Sequence, residues 1–228
     1  MTTAADIINL AAVVLQDVSN VRWPRDELVD WVSEGQRVIA TLSPEAYTVV
    51  EIVQPGVGTK QTLPSGGIRL VSVVRNIYAG SGAPTGSSRA VRLVDRAVLD
   101  AQYPDWHVAA SGYTQNYVFD KRNPKVYYIY PPHSGSTTQR LEIIYTKLPS
   151  TFTTEATALV VDEQYHTALV DYVLYRAYLK DAEYTQNAER AQLHYQAFAA
   201  VVSGKEAIDA TVEPTPAGST RPGIGAPV

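Results

Sequence analysis

Cysteine is absent from the 228 residues, which excludes disulfides, cysteine zinc clusters and thiol nucleophiles. No apolar run reaches the roughly 18 residues that a membrane-spanning helix needs. The first residues lack the basic start and apolar block of a signal peptide. We therefore expect a chain with neither a membrane span nor a secretion signal.

An excess of basic residues is also missing. Lys and Arg number 19 against 23 Asp and Glu, which gives a formal net charge of −4 and a pI of about 5.6. Proteins that grip DNA neutralise its phosphates with a basic surface. This balance disfavours DNA binding, although it suits a wall that DNA slides past.

Signatures of catalysis are weak, and we predict no enzyme activity, cofactor or metal site. The glycine-rich stretch 80–86 belongs to a predicted loop over residues 80–88 that is followed by a predicted strand, whereas a phosphate-binding loop leads into a helix. Asp162 and His166 have the spacing of two metal ligands on a helix, but no third ligand is evident. The acids Asp95, Asp100 and Asp105 lie near one another in sequence, which does not define a glycosidase cleft.

Tyrosine is abundant, with 15 Tyr against 3 Phe, in a chain of ordinary globular composition. Tyrosine combines apolar area with a polar tip and suits surfaces that become half-buried on assembly. A core that tolerates hydroxyl groups near its rim explains the same composition. Both interpretations stay open.

Apolar periodicity divides the chain into helical ends and a β-rich middle. A helix is predicted from Thr3 to about Asp17, with a Thr3–Asp6 capping box, and a second from Pro24 to Leu42. Alternation with a period of two then predicts strands, which are residues 47–53, 60–63, 68–78, 89–94, 117–120, 125–130 and 140–147. A short helix capped by Asp95 interrupts them, and Pro131 and Pro132 should end the strand that precedes them.

Helical spacing returns at Asp162 and continues to Gly204, which is predicted to close the last helix. We expect a helical hairpin broken near residues 181–185, because one helix of about 40 residues is rare in a compact domain. Asp171 and Arg176 lie on an otherwise apolar helix and should be paired. They are predicted to form a polar clamp within the bundle, and a subunit contact is the alternative.

The fold class expected from this pattern is α+β. Residues 1–45 and 151–204 should form one helical bundle, and residues 46–150 an antiparallel β-rich insertion with one short helix. Residues 205–228 are rich in Pro and Gly and should form an extended arm. The side chains proposed to contact a partner from this arm are Ile208, Val212, Pro214, Pro216, Arg221 and Ile224.

Several stretches, in the same order along the chain, resemble the head-to-tail adaptor proteins of tailed bacteriophages. They are residues 22–23, 26–31, 35–37, 62–64, 67–70, 89–96, 103–107, 117–124, 130–132, 168–178, 180–183 and 187. The most telling is the run Ala168-Leu169-Val170-Asp171-Tyr172-Val173-Leu174-Tyr175-Arg176-Ala177-Tyr178. The resemblance covers most of residues 3–205 and not the arm.

The resemblance implies a structural virion protein of the neck, assembled in the host cytoplasm. Twelve copies would form a ring beneath the portal through their helical bundles, with the arm docked on the portal protein. The β-rich part would face tail tube, nozzle or fibre proteins. DNA would pass through the ring without specific binding during genome ejection, and no membrane would be involved.

Three other functions are compatible with the sequence. A neck or tail-completion ring would sit one step further from the portal. A virion-associated muralytic enzyme would need a pair of catalytic acids. A sugar-binding module is suggested only by the tyrosines and the β-rich centre.

Overall fold

Helices open and close the chain, and strands occupy its middle. The computed structural model describes residues 2–80, 83–84, 89–110, 112–181, 183 and 185–212. The helices within these ranges are α1 (Ala4–Val14), α2 (Arg25–Leu42), α3 (Arg96–Gln102), α4 (His166–Lys180) and α5 (Thr185–Val212). The strands are β1 (Thr48–Val53), β2 (Gly58–Thr62), β3 (Gly67–Gly80), β4 (Ala83–Pro84), β5 (Arg92–Leu93), β6 (Asn116–Phe119), β7 (Val126–His133) and β8 (Gln139–Lys147).

Both ends of the chain build the helical bundle. Helix α4 packs against α1 and α2 on one side and against α5 on the other. The core is aliphatic with a few large rings, and includes Ile7, Ile8, Leu28, Val32, Ile39, Tyr165, Leu169, Val173 and Phe198. Gly35 lets α2 approach α4 closely, since a Cβ there would stand 2.9 Å from Cδ1 of Tyr172.

The middle of the chain forms two four-stranded sheets, in the orders β1-β8-β3-β4 and β2-β7-β6-β5. Neighbouring strands are antiparallel except for the pair β5 and β6. Alternate side chains of both sheets meet in a shared core, which includes Leu70, Val73, Tyr117, Tyr127, Ile129, Ile143 and Tyr145. The arrangement is a β-sandwich, and Leu99 of α3 packs with Trp106 and Val118 as a smaller cluster.

The segment between the sandwich and α4 is fastened to α2 by polar side chains. The buried Gln36 side chain accepts hydrogen bonds from the backbone of Val160 (2.9 Å) and Val161 (3.4 Å). Ser33 accepts one from the backbone N–H of Phe152 at 3.2 Å. These contacts satisfy backbone groups that the irregular segment leaves unpaired.

Several sequence predictions are confirmed by this fold. The class is α+β, and Thr3 and Asp6 form the capping box, with the Asp6 carboxylate accepting from the N–H (2.7 Å) and hydroxyl (2.9 Å) of Thr3. Asp95 caps α3 by accepting from the N–H of Ala97 at 2.8 Å. The hairpin is also present, because α4 ends at Lys180 and α5 begins at Thr185.

The predicted end of the last helix is wrong. Helix α5 continues past Gly204 to Val212, so residues 205–212 are helical rather than extended. A glycine inside a helix costs only about 1 kcal/mol, and the good helix formers Lys205, Glu206 and Ala207 follow it. The helix ends two residues before Pro214, where the ring of a proline disfavours further turns.

Three predictions in the β region need correction. The predicted strand over residues 89–94 is split between the two sheets. The Asn76 N–H donates to the carbonyl of Arg89 in one sheet, and the Arg92 N–H donates to the carbonyl of Gln115 in the other. Strand β7 continues through Pro131 and Pro132, which lie opposite an irregular stretch of β2 where the register shifts. The expected loop over 80–88 contains β4, and its other residues apart from Gly80 lie outside the described ranges.

Candidate assembly surfaces

Helix α1 buries one apolar side, and the outer side of its second half is apolar as well. Ala4, Ile7, Ile8 and Ala11 are fully buried against the bundle. On the outside lies a group of aliphatic side chains, here named the α1 face, that continues into the following loop. Its members are between 50% and 81% exposed, and they are Leu10, Val13, Val14, Val18 and Val21.

A surface helix ordinarily turns a polar side to water. The exposed polar residues of α1 are Asp6 and Asn9, one turn apart, so the second half of the helix, residues 10–14, has no such side. Contiguous exposed apolar patches of a few hundred Å² mark interaction sites on soluble proteins. The α1 face is therefore a candidate interface.

The loop that carries the end of the α1 face is held by one carboxylate. Asp17 accepts hydrogen bonds from the backbone N–H groups of Val21 (3.0 Å), Arg22 (2.9 Å) and Trp23 (3.1 Å). These hydrogen bonds lower the pKa of Asp17 below its ordinary value, and the bond from Trp23 has the largest effect. The Trp23 indole N–H also donates to the carbonyl of Ala177 at 3.2 Å, which attaches the loop to α4.

Helix α5 forms the opposite side of the bundle. Ala191, Phe198 and Val202 are its buried side chains among those described, and they lie on the side that faces α4. Half a turn away, exposed Leu193, Ala197 and Ala200 follow one another at spacings of four and three residues. We name this group the α5 face.

The sandwich exposes apolar side chains as well. Val50 and Ile52 project outward from β1, the edge strand of the first sheet, and Val71 of β3 is also exposed. Unprotected edge strands of this kind invite pairing with another chain. This outer face of the sheet is a second candidate interface.

Charge is divided between the two parts of the fold. Residues 46–150, which contain the sandwich, hold 11 Lys and Arg against 6 Asp and Glu, a formal charge of +5. Residues 1–45 and 151–204, which build the bundle, hold 6 against 14, a formal charge of −8. The modest net charge of the chain is thus the sum of a basic part and an acidic part that largely cancel.

The two predicted clamp residues have separate partners. Asp171 of α4 lies 2.9 Å from His194 Nδ1 of α5, and Tyr178 stacks on the His194 ring. Arg176 lies 2.9 Å from a Glu34 carboxylate oxygen on α2. Both contacts join different helices of the bundle, and they do not join Asp171 to Arg176.

The predicted arm residues divide between two regions. Ile208 and Val212 belong to the last turns of α5. Pro214, Pro216, Arg221 and Ile224 lie outside the described residues. Portal binding by these six side chains stays a prediction.

The acids considered for catalysis have structural contacts. Asp162 accepts from the backbone N–H of Glu163 at 3.1 Å at the start of a helical turn. Asp100 accepts from the Trp106 indole at 2.9 Å, which lowers its pKa, whereas a glycosidase acid needs a raised pKa. Within the described ranges, no group of three His, Asp or Glu is arranged to hold a metal ion.

None of the helices in the described part of the chain is long and apolar enough to cross a membrane. The α1 face is a candidate interface that the sequence patterns did not single out. Its signal was available, since residues 10–15 are all apolar and leave no polar position for water at the end of the first helix.

A model of the SU10 adaptor protein family matches residues 2–220. The chain belongs to this family. It is a family of phage head-to-tail adaptors, so the protein is a structural component of the virion neck. No curated protein matches the chain.

The family match is longer than the resemblance seen in the sequence. It extends 15 residues beyond residue 205 and includes Pro214 and Pro216. The expectation that the C-terminal segment falls outside the family is therefore wrong for residues 206–220. Short structural motifs carried the resemblance, and the Pro- and Gly-rich segment offers none.

Proposed function

We propose that copies of this adaptor form a closed ring, of twelve subunits, beneath the portal. The ring extends the DNA channel, joins the tail to the capsid and conducts the genome during ejection. The observation that carries the proposal is the family match over residues 2–220. We further propose that the ring assembles in the host cytoplasm.

Docking on the portal is assigned to the C-terminal end of the chain. Helix α5 carries Ile208 and Val212 at its end, and the Pro- and Gly-rich residues 213–228 follow. A segment that orders on its partner loses entropy as it binds, but it covers a large surface for its length. Repetition around a ring then raises the strength of weak contacts through effective concentration.

The two charged parts support distinct roles. The basic sandwich, with its exposed β1 edge, is suited to tail proteins of acidic surface, which include tube, nozzle or fibre subunits. The acidic bundle gives the channel a wall that repels phosphate, so DNA passes without being held. The proposal therefore places the bundle at the portal and the sandwich toward the tail.

Cosedimentation with the portal ring of the same phage tests the role. Three versions are compared: the full chain, a chain ending at Val212 and a chain ending at Gly204. Each version is also spun without portal, and circular dichroism checks that the truncated chains keep the helix content of the bundle. Binding is measured as the fraction of adaptor that pellets with the portal.

Each outcome of the cosedimentation either identifies the segment that docks on the portal or contradicts the proposal. Loss of binding on truncation at Val212 assigns docking to residues 213–228. Loss only on truncation at Gly204 assigns it to the end of α5, and equal binding by all three assigns it elsewhere in the fold. If the full chain does not bind portal but binds a tail ring, the protein is a neck or tail-completion ring instead.

A further inference from the structure

The bundle carries unlike apolar faces on its two outer helices. Helices α2 and α4 lie between them, because each of the two packs against both α1 and α5. The α1 face is formed by large aliphatic side chains, whereas the α5 face combines Leu193, which is 64% exposed, with two alanines. One face is bulky and the other is shallow.

We infer that the α1 face of one adaptor copy packs against the α5 face of the next copy. A contact between two different surfaces of the same chain is heterologous, and it closes into a ring when the rotation between copies permits. Opposite placement of the faces on one bundle is the arrangement that such a ring requires. The inference rests on the proposed ring and names the surfaces that build it.

The electrostatics of the two faces permit this pairing despite the acidic bundle. Asp6 lies one turn before Leu10 at the start of the α1 face, and Asp17 lies between Val14 and Val18, where three backbone N–H groups hold its carboxylate. On α5, Glu189 and Arg190 lie within a turn of Leu193, and Arg190 has no acidic partner among the described side chains. The exposed Asp6 beside one face can thus meet the cation beside the other, while Leu10, Val13 and Val14 supply the apolar part of the contact.

The small number of apolar side chains in each face favours a second copy of this chain as the occupant. Exposed apolar patches on soluble proteins typically measure a few hundred Å², less than the roughly 800 Å² per partner of a standard stable interface. A single pair of copies would therefore be weak. In a closed ring every copy makes the contact twice, and closure supplies the missing stability through effective concentration.

Cysteine pairs test the contact directly, because the natural chain has no thiol of its own. The double variant V13C/L193C and the single variants V13C and L193C are each assembled on portal rings. A bismaleimide of about 10 Å reach is added, and the products are separated on a denaturing gel. Negative-stain microscopy of the same samples shows beforehand whether adaptor rings are present.

The expected result is a ladder of dimers and larger covalent oligomers for V13C/L193C and no dimer for either single variant. A dimer formed by V13C alone would show that α1 meets α1, which overturns the inference. Rings that give no ladder also overturn it and leave the proposed function standing. If the unmodified chain forms no ring on the portal, the proposed function fails, and the inference falls with it.

Matched control variants distinguish a contact between the two faces from cross-linking of cysteines that are merely exposed. Val57, in the turn between β1 and β2, is 77% exposed and lies outside both faces, so V57C/L193C should give no ladder. V13D should lower the fraction of chains in rings at least about tenfold, because it places a carboxylate in the buried contact. V57D should leave that fraction unchanged, and the thermal midpoint of both unassembled variants should match that of the natural chain.

Discussion

A Cβ atom at Gly35 would stand 2.9 Å from Cδ1 of Tyr172 and 3.0 Å from Cδ2 of Leu169, closer than packed carbon atoms normally come. Helix α2 reaches α4 here only because residue 35 lacks a side chain. The position thus sets the spacing between two helices that come from opposite ends of the chain.

We expect Gly35→Ala to lower the free energy of unfolding by about 1–3 kcal/mol, because overpacking outweighs the gain in helix propensity. Gly204→Ala in α5 is the matched control, since a Cβ there meets nothing within 4 Å. The control should stabilise the protein by up to about 1 kcal/mol. Urea unfolding of both variants measures the two effects, and equal shifts would contradict the packing argument.

Asn76 organises the junction between the two sheets from a buried position. Its amide donates to the carbonyls of Thr114 (2.7 Å) and Arg89 (3.0 Å), and its side-chain oxygen accepts from the Thr114 N–H at 3.0 Å. Asn76→Leu should cost about 2–4 kcal/mol, because it leaves buried backbone groups of Thr114 without partners. Chemical denaturation measures the loss. The control is Gln115→Ala, which removes an exposed side-chain amide next to Thr114 and should change stability by less than about 0.5 kcal/mol.

His133 should make the stability of the protein depend on pH near neutrality. Its side chain is buried, and burial lowers its pKa below the ordinary value of 6.5. The unfolded chain therefore binds a proton more readily than the folded one. Stability from this group is complete above pH 6.5 and decreases as the pH falls toward the lowered value.

Urea unfolding at several pH values between 7.5 and 5.5 checks this expectation, with a slope of up to about 1.4 kcal/mol per pH unit. Carboxylates whose pKa is lowered, such as Asp17 and Glu155, act only near pH 4 and below. His133→Gln keeps an acceptor for the Gly135 N–H and should flatten the slope. The control is Ser134→Ala at an exposed neighbouring position, which should leave the slope as it is in the natural chain. If His133→Gln also leaves the slope unchanged, a group other than His133 causes the pH dependence.

The contacts of Asp171 and Arg176 predict a structural role within one subunit. Asp171→Asn and Arg176→Gln should each lower the stability of the unassembled protein by about 0.5–1 kcal/mol, as partly exposed ion pairs usually do. Thermal unfolding of the free chain measures this loss. If these variants unfold normally but assemble poorly on the portal, the two residues belong to a subunit contact instead.

Local patterns allowed much of the secondary structure to be predicted. The capping pair Thr3 and Asp6 and the apolar stripe of α2 can be predicted from neighbouring residues, whereas the break before Thr185 was predicted from the rarity of one helix of about 40 residues. The end of α5 was missed because the preference of glycine for helix ends is weak, and the helix formers after Gly204 outweigh it. The stop signal that prevails is Pro214.

Contacts between distant segments could not be predicted in the same way. The partners of Asp171 and Arg176 are 23 and 142 residues away in sequence, on other helices. The passage of residues 89–94 from one sheet to the other depends on both sheets being formed. The opposite charges of bundle and sandwich, by contrast, could have been counted from the predicted boundaries of the two parts, but the net charge of the chain conceals them.

The insertion of the sandwich between α2 and α4 also determines the order in which the newly synthesised chain can fold. Helices α1 and α2 leave the ribosome first, but the helix that covers their apolar sides follows only after all of residues 48–147. Sandwich strands pair within a continuous stretch of chain and can meet while synthesis proceeds. The apolar side chains of α1 and α2 that α4 later covers therefore remain exposed during this interval, which makes these helices a binding site for host chaperones well before any neighbouring subunit is available.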